Sequence, residues 1–204
     1  MGLISTARGM SEAMGKTYTE IDVKLADFIG RQKMFFVATA PLSAGGHVNL
    51  SPKGYDAFRI LGPKQVAYCD LGGSGIETVA HIRENGRVTL MFCAFDGPAL
   101  ILRLYGRGSV QQFDEPGFEE RKAKLFPSIG RARNIVTVDL ERIADSCGWG
   151  VPVYDFREQR DQLMRAIEHP AIEDLNAKRY ASNAQSIDGL PGLIVDRYGD
   201  TLCA

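Results

Sequence analysis

The run from Ala99 to Phe113 constrains this chain more than any other stretch. Leu100, Leu102 and Leu104 alternate there with Ile101, Arg103, Tyr105 and Arg107. A period of two places the leucines on one face of a strand and the arginines on the other. So long a strand presents a ladder of backbone donors and acceptors on each edge and needs partners for both. The apolar run Arg87–Phe95 precedes it across the turn sequence Asp96-Gly97-Pro98, so the first partner is an antiparallel neighbour. Extended runs also fall at Met34–Ala40, His47–Leu50, Arg59–Leu61, Gln65–Leu71 and Asn134–Ile143. Pro41 with Ser43-Ala44-Gly45-Gly46, and later Gly62-Pro63, turn the chain between them. Strands at hairpin spacing point to an antiparallel barrel of about six strands rather than a doubly wound sheet. No G-x-G-x-x-G follows the first strand, which argues against a dinucleotide-binding unit.

Helices frame these strands. Ile21, Leu25, Phe28 and Ile29 recur at helical spacing and predict a helix over 19–31, with Thr19 and Asp22 spaced as a cap. A second helix is expected after Gly72-Gly73-Ser74-Gly75, ending at about Asn85 before Gly86. Ser74 and Glu77 have the spacing of a capping box at its start. Glu115–Phe126 reads as a surface helix, and Arg160–Glu168 and Ala171–Ser182 as two more around Pro170. The chain thus divides into an N-terminal helical segment (1–33), a strand-rich body (34–145) and a C-terminal loop and helical extension (146–204).

Charge and composition narrow the function classes. The formal net charge is −1 and the basic residues are dispersed, so no nucleic-acid partner is expected. No run approaches a membrane span, and residues 1–16 hold no continuous apolar core of a signal peptide, so a soluble cytoplasmic protein is expected. Cys69, Cys93, Cys147 and Cys203 form no C-x-x-C pair, and His47, His81 and His169 stand at no ligand spacing, so no metal site is expected. Cys69 and Cys93 fall in apolar runs and read as buried small hydrophobes. His81 reads as structural, and Cys147 has no activating base nearby in sequence.

Four segments have residue types suited to binding. Gly72–Gly75 leads into a helix start, where free N–H groups and the positive helix end attract anions, and Ser74 and Thr78 add hydroxyls. Asn49-Leu50-Ser51-Pro52-Lys53-Gly54 ends a strand irregularly, with Lys53 placed to neutralise a phosphate and Gly54 allowing close backbone approach. Arg103, Tyr105 and Arg107 share a strand face suited either to solvent or to a planar anion. Trp149 lies between Gly148 and Gly150 in a loop, where packing on the protein itself or on a partner is the commoner use.

Taken together, these segments resemble the flavin mononucleotide (FMN)-binding split barrel of pyridoxamine-phosphate-oxidase-like proteins. The resemblance rests on Val48–Gly54, Ala67-Tyr68-Cys69-Asp70-Leu71, Gly73–Ile82, Glu84–Phe92 and Leu102–Gly108. Asp145–Pro152 and Ser186–Leu193 look like the tail of one uncharacterised subgroup. The resemblance implies a six-stranded antiparallel split β-barrel over 34–145 and a homodimer with the flavin at its interface. It implies that the strand over 48–54 runs along the ring and ribityl chain, that residues 74–78 meet the phosphate, and that the strand over 101–107 faces the ring. The implied cofactor site is therefore Asn49, Leu50, Ser51, Pro52, Lys53, Gly54, Ser74, Gly75, Glu77, Thr78, Arg103 and Arg107, with Trp149 beside it. The oxidase proper has an Arg-Lys pair where this chain has Glu77 and Thr78, so Lys53, Arg103 or Arg107 would have to supply the positive charge. Its C-terminal substrate-binding segment also has no counterpart in Asp196–Ala204. The implied activity is an FMN-dependent oxidoreductase acting on something other than pyridoxamine phosphate. A non-catalytic FMN-binding or sensing protein, or a deazaflavin- or haem-binding split barrel, is the alternative. Gly189–Asp200 is also similar to a piece of certain RNA methyltransferases, but it is short and their catalytic machinery is missing.

Overall fold

The computed structural model describes residues 15–194. Cys203 and the Asp196–Ala204 tail lie outside the described residues, as do most of residues 1–16. The elements run β1 (Thr17–Tyr18), α1 (Val23–Arg31), β2 (Phe35–Thr39), β3 (Asn49–Lys53), β4 (Phe58–Gly62), β5 (Gln65–Asp70), α2 (Glu77–Asn85), β6 (Arg87–Cys93), β7 (Ile101–Gln112), α3 (Phe118–Leu125), β8 (Asn134–Ser146), α4 (Gln162–Glu168) and α5 (Ile172–Asn183). One antiparallel sheet follows the order β3-β2-β6-β7-β8-β5-β4, with β1 added against β8. It is an open, split-barrel sheet of eight strands among the described residues, not six. The extra strands are β1, two residues long with too little pattern to read, and β4, whose core at 59–61 reads only as extended.

The long strand predicted from alternation is β7. Leu102 and Leu104 are fully buried while Arg103 and Tyr105 are only half-buried, as the period of two requires. β7 pairs with β6 over 101–107 and with β8 along its whole length. β8 in turn pairs with β5 over 134–139. The two long strands thus join a β3-β2-β6 half to a β5-β4 half.

The first core is shared by both halves, since Val66 and Tyr68 of β5 belong to it with residues of α1, β2, β6, β7 and β8. Leu25, Phe28 and Ile29 of α1 pack onto Phe35, Val37, Leu90, Phe92, Leu102 and Leu104. An aromatic cluster lies at the centre of this core, with Phe35 centred 5.2 Å from Phe58, 5.7 Å from Tyr68 and 5.6 Å from Phe92. Side chains of this size each contribute about 1.5–3 kcal/mol when fully buried. A second core, holding Cys69, Phe118, Phe126, Ile135, Ile167 and Leu175, sets α3, α4 and α5 against β5 and β8. Cys69 and Cys93 are buried, and burial, with Asp70 next to it, pushes the Cys69 thiol up to about 12.

The caps differ from the sequence reading. Asp22 caps α1, accepting from the Leu25 N–H at 2.8 Å, and Thr19 lies outside the cap. The Ser74–Glu77 capping box does not form: Ile76 is the N-cap of α2 and no side chain caps it. The Glu77 carboxylate instead accepts from the Ile187 N–H at 3.3 Å, so the tail takes the group that would have closed the box. The expected stop is present, with Gly86 in the left-handed region at φ 72°.

Candidate functional site

β3, the end of β5 and the start of α2 meet around a polar cavity of about 240 Å³. Asn49, Ser51, Pro52 and Lys53 reach it from β3, and Ser74, Gly75, Glu77 and Thr78 from the loop and first turn of α2. Alternation along β3 selects them. Asn49, Ser51 and Lys53 face inward, while Leu50, 62% exposed, faces the other side.

The donors here are held in place by one another. Asn49 Nδ2 donates to Thr78 Oγ1 at 2.8 Å and to Thr39 Oγ1 at 3.3 Å. Ser51 Oγ donates to Asn49 Oδ1 at 3.1 Å. Thr39 Oγ1 also lies 3.0 Å from His81 Nδ1, on a ring that is fully buried and whose pKa burial pushes down. His81 therefore anchors the network from below, consistent with a structural role. Gly72 and Gly73 hold φ of 101° and 152°, a conformation side chains rarely adopt, which keeps the loop's backbone close to the cavity. First-turn N–H groups of a helix have no intrahelical acceptor, and no side chain caps α2. The cavity thus offers backbone donors, hydroxyls, an amide and an ammonium, which fits a phosphate group.

Two charged residues complete the site that sequence reasoning did not single out. Asp70 sits at the cavity floor, with Lys53 Nζ 3.0 Å from one oxygen and Arg133 Nε and Nη2 2.9 and 2.8 Å from the other. Burial alone would raise the Asp70 carboxyl, but Arg133 and then Lys53 outweigh it and hold it far below the usual carboxylate range. Arg133 Nη1 also donates to the Gly75 carbonyl at 2.9 Å and to Asn183 Oδ1 at 2.7 Å, tying the glycine loop to α5. A charge inside the apolar run Ala67–Leu71 was a legible demand for a partner. The partner's identity was not legible, because Arg133 is sixty-three residues away in sequence.

The other predicted site residues stand apart from the cavity. Gly54 follows β3, where an added Cβ would meet Gln159 Oε1 at 2.9 Å. Arg103 donates to Ser146 Oγ at 3.0 Å. Arg107 Nε lies 3.1 Å from Glu141 and its Nη1 donates to the Asn85 carbonyl. Trp149 is 72% exposed. Arg107 and Tyr105 line a separate, shallow cavity of about 370 Å³ on the outer sheet face, with Ala38 and Val48.

The open antiparallel sheet, split into two halves by its long strands, defines the class as a split-barrel protein. A family model described as pyridoxamine 5'-phosphate oxidase matches residues 21–147. The pyridoxamine 5'-phosphate oxidase family protein ustO of Aspergillus flavus is 38% identical over 192 residues, covering 86% of this chain and 77% of that protein. A HupZ variant from group A Streptococcus is a similar solved structure, with a TM-score of 0.50, 25% identity, and coverage of 61% of this chain and 98% of that one. An FMN-binding protein from Syntrophomonas wolfei aligns with a TM-score of 0.42 and 16% identity, over 64% of this chain and 83% of that one. The chain belongs to the pyridoxamine 5'-phosphate oxidase family. Among the described residues, no helix is long and apolar enough to cross a membrane.

Proposed function

We propose that the chain binds FMN, with the flavin phosphate in the cavity between β3 and α2, and works as a cytoplasmic flavin-dependent oxidoreductase. The observation that carries this reading is the uncapped start of α2 opening onto Asn49, Ser51, Lys53, Ser74 and Thr78. Asn49, Ser51, Lys53, Ser74 and Thr78 would hold the phosphate. Arg133 stays on Asp70, holding the floor and the Gly75 carbonyl in place. Bound there, the flavin would supply hydride transfer. The charge that an Arg-Lys pair would give at 77–78 would have to come from Lys53, which pairs with Asp70, while Glu77, also on the cavity lining, accepts from the Ile187 N–H.

The working unit is a homodimer with the flavin between subunits. A second copy on the outer sheet face would bring its residues to the Tyr105–Arg107 cavity and cover Val48 and Leu50, which are 74% and 62% exposed. Purified protein titrated with FMN tests the reading by flavin fluorescence quenching. Replacement of Lys53 by Gln is expected to weaken binding by about 1–3 kcal/mol. Unchanged affinity removes Lys53 from the site, and no quenching by the wild type refutes FMN binding. Reduction of the bound flavin by a nicotinamide cofactor, followed by turnover of an added acceptor, separates an oxidoreductase from a sensor.

A further inference from the structure

The loop Gly72–Ser74 has a cavity on each side. One is the polar cavity described above. The other, of about 460 Å³, lies between this loop and the helices α4 and α5. That size falls in the range of small-molecule sites, roughly 300–1,000 Å³. Residues of α4 and α5 form most of its wall, and they lie beyond the span 21–147 that matches the family model.

Leu71, Leu163, Ile167 and Leu175 line this cavity, as does Lys178 of α5. So does Arg179, also on α5. The residue is only 6% exposed, and its Nη2 is buried with no hydrogen-bond partner among the described residues. Its Nη1 reaches Asn176 Oδ1 at 3.3 Å, and its guanidinium lies 5.2 Å over the Phe113 ring. A buried guanidinium normally has a carboxylate against it. Here Asp174 lines the cavity but makes no ion pair with Arg179 among the described residues. Arg131 donates to the Ile167 and Pro170 carbonyls, and Arg133 takes up Asp70. Burial and then the charge of Arg133 push the Arg179 pKa down to about 10, so it remains a cation at neutral pH. The region therefore holds positive charge in excess of its own acids.

We propose that this cavity binds a small organic carboxylate, its acid group on Arg179 and its apolar body against Leu71, Leu163, Ile167 and Leu175. A carboxylate head with an apolar body matches the unpartnered Arg179 Nη2, with Lys178 also on the lining, beside a leucine-rich wall, whereas a bare phosphate would leave that wall empty. Asn183 links the site to the neighbouring cavity. Its Oδ1 accepts from Arg133 and its Nδ2 donates to the Gly73 and Ser74 carbonyls, each at 3.4 Å. Only the position of this site next to a flavin phosphate rests on the function proposed above; the binding itself does not.

The test is calorimetric titration of hexanoate into the full chain without FMN, with hexanol and inorganic phosphate as parallel probes. Saturable hexanoate binding is expected, at least about tenfold tighter than hexanol, while any phosphate binding at the neighbouring polar cavity should be unchanged by Arg179→Gln. Arg179→Gln is expected to weaken hexanoate binding by about tenfold or more, and Leu163→Trp, which fills the space against the leucine-rich wall, by a similar factor. Circular dichroism checks that each variant is folded. If Arg179→Gln does not fold, Leu163→Trp and the wild-type comparison with hexanol decide. Absence of saturable hexanoate binding, equal binding of hexanoate and hexanol, or hexanoate binding that survives the folded variants overturns the proposal. Phosphate binding that is tighter than hexanoate binding and is lost in Arg179→Gln assigns the site to inorganic anions and also overturns it. Because FMN is left out, loss of the flavin reading leaves this result standing.

Discussion

The residue on which the site depends most is Asp70. It is 4% exposed and satisfied by Arg133 from one side and Lys53 from the other. Removing one partner of a buried pair leaves an uncompensated charge, so Asp70→Asn should destabilise the fold by about 3–5 kcal/mol at neutral pH. The pH dependence has a definite sign. The folded carboxyl titrates below its unfolded value of about 3.9. The stability it contributes is fully present above that pH and is lost as pH falls toward the folded value. Thermal unfolding followed from pH 7 down to about pH 3 should therefore show the wild type losing stability below about pH 4 more steeply than Asp70→Asn. Parallel curves would mean that Asp70 is not held ionised by its partners. The sequence placed Lys53 near an anion but did not single out Asp70, although a lone acid in an apolar run demands a partner. It could not join Lys53, Asp70 and Arg133, because ion pairing across a sheet depends on register, which no local pattern encodes. For the same reason Ser74 and Glu77 matched a capping box that the chain does not form. Local spacing allows the box, but Ile187 from the distant tail competes for the carboxylate.

At the scale of elements, the β7–β8 ribbon joins the two halves of the sheet, and its irregularity lies at Gly106. The register passes from Tyr105 opposite Arg142 to Gly106 opposite Leu140, which leaves Glu141 as the extra residue of a bulge. There the backbones approach so closely that a Cβ on Gly106 would collide with the Asp139 carbonyl oxygen and lie 2.9 Å from Val138 Cγ1. Backbone cannot yield as a flexible side chain can, so Gly106→Ala should cost about 1–3 kcal/mol or more, read as a lower midpoint in urea. Gly97→Ala, where nothing lies within 4 Å of the added Cβ, provides the contrast: its cost would come from the strained φ of 66° alone. Equal effects at the two positions would mean that close approach at Gly106 does not matter. The alternation that revealed β7 reads straight past this bulge. The extra residue is on the partner strand, and the glycine marking it falls where a small residue is unremarkable. Long periodic elements were legible to within a few residues. β1 was not, since two residues carry no period and its pairing with Ala144 and Ile143 is tertiary.

At the scale of the molecule, the two faces of the β3-β2-β6-β7 sheet are unequal. The inner face packs beneath α1. The outer face sets Leu50 opposite Ala38, Phe36 opposite Met91 and Thr89 opposite Tyr105. Of these, Phe36, Ala38 and Met91 are only partly buried and Leu50 is exposed. A half-apolar face ending in an exposed leucine on an edge strand suits burial against a second copy. Leu50 makes the sharpest test, because the two states of association predict different outcomes for one substitution. In a monomer, Leu50→Glu is a surface change worth within about 0.5 kcal/mol. In a dimer that closes over this face, two introduced carboxylates related by the symmetry axis would each be desolvated. Light scattering behind size exclusion should therefore give twice the chain mass for the wild type and the single-chain mass for Leu50→Glu, with the β-rich circular dichroism unchanged. FMN affinity should fall together with the dimer, since the proposed flavin slot is completed by the second copy. A wild type that is monomeric, or a Leu50→Glu protein that still dimerises, would place the partner elsewhere and leave the ring of the proposed flavin without a wall on this side.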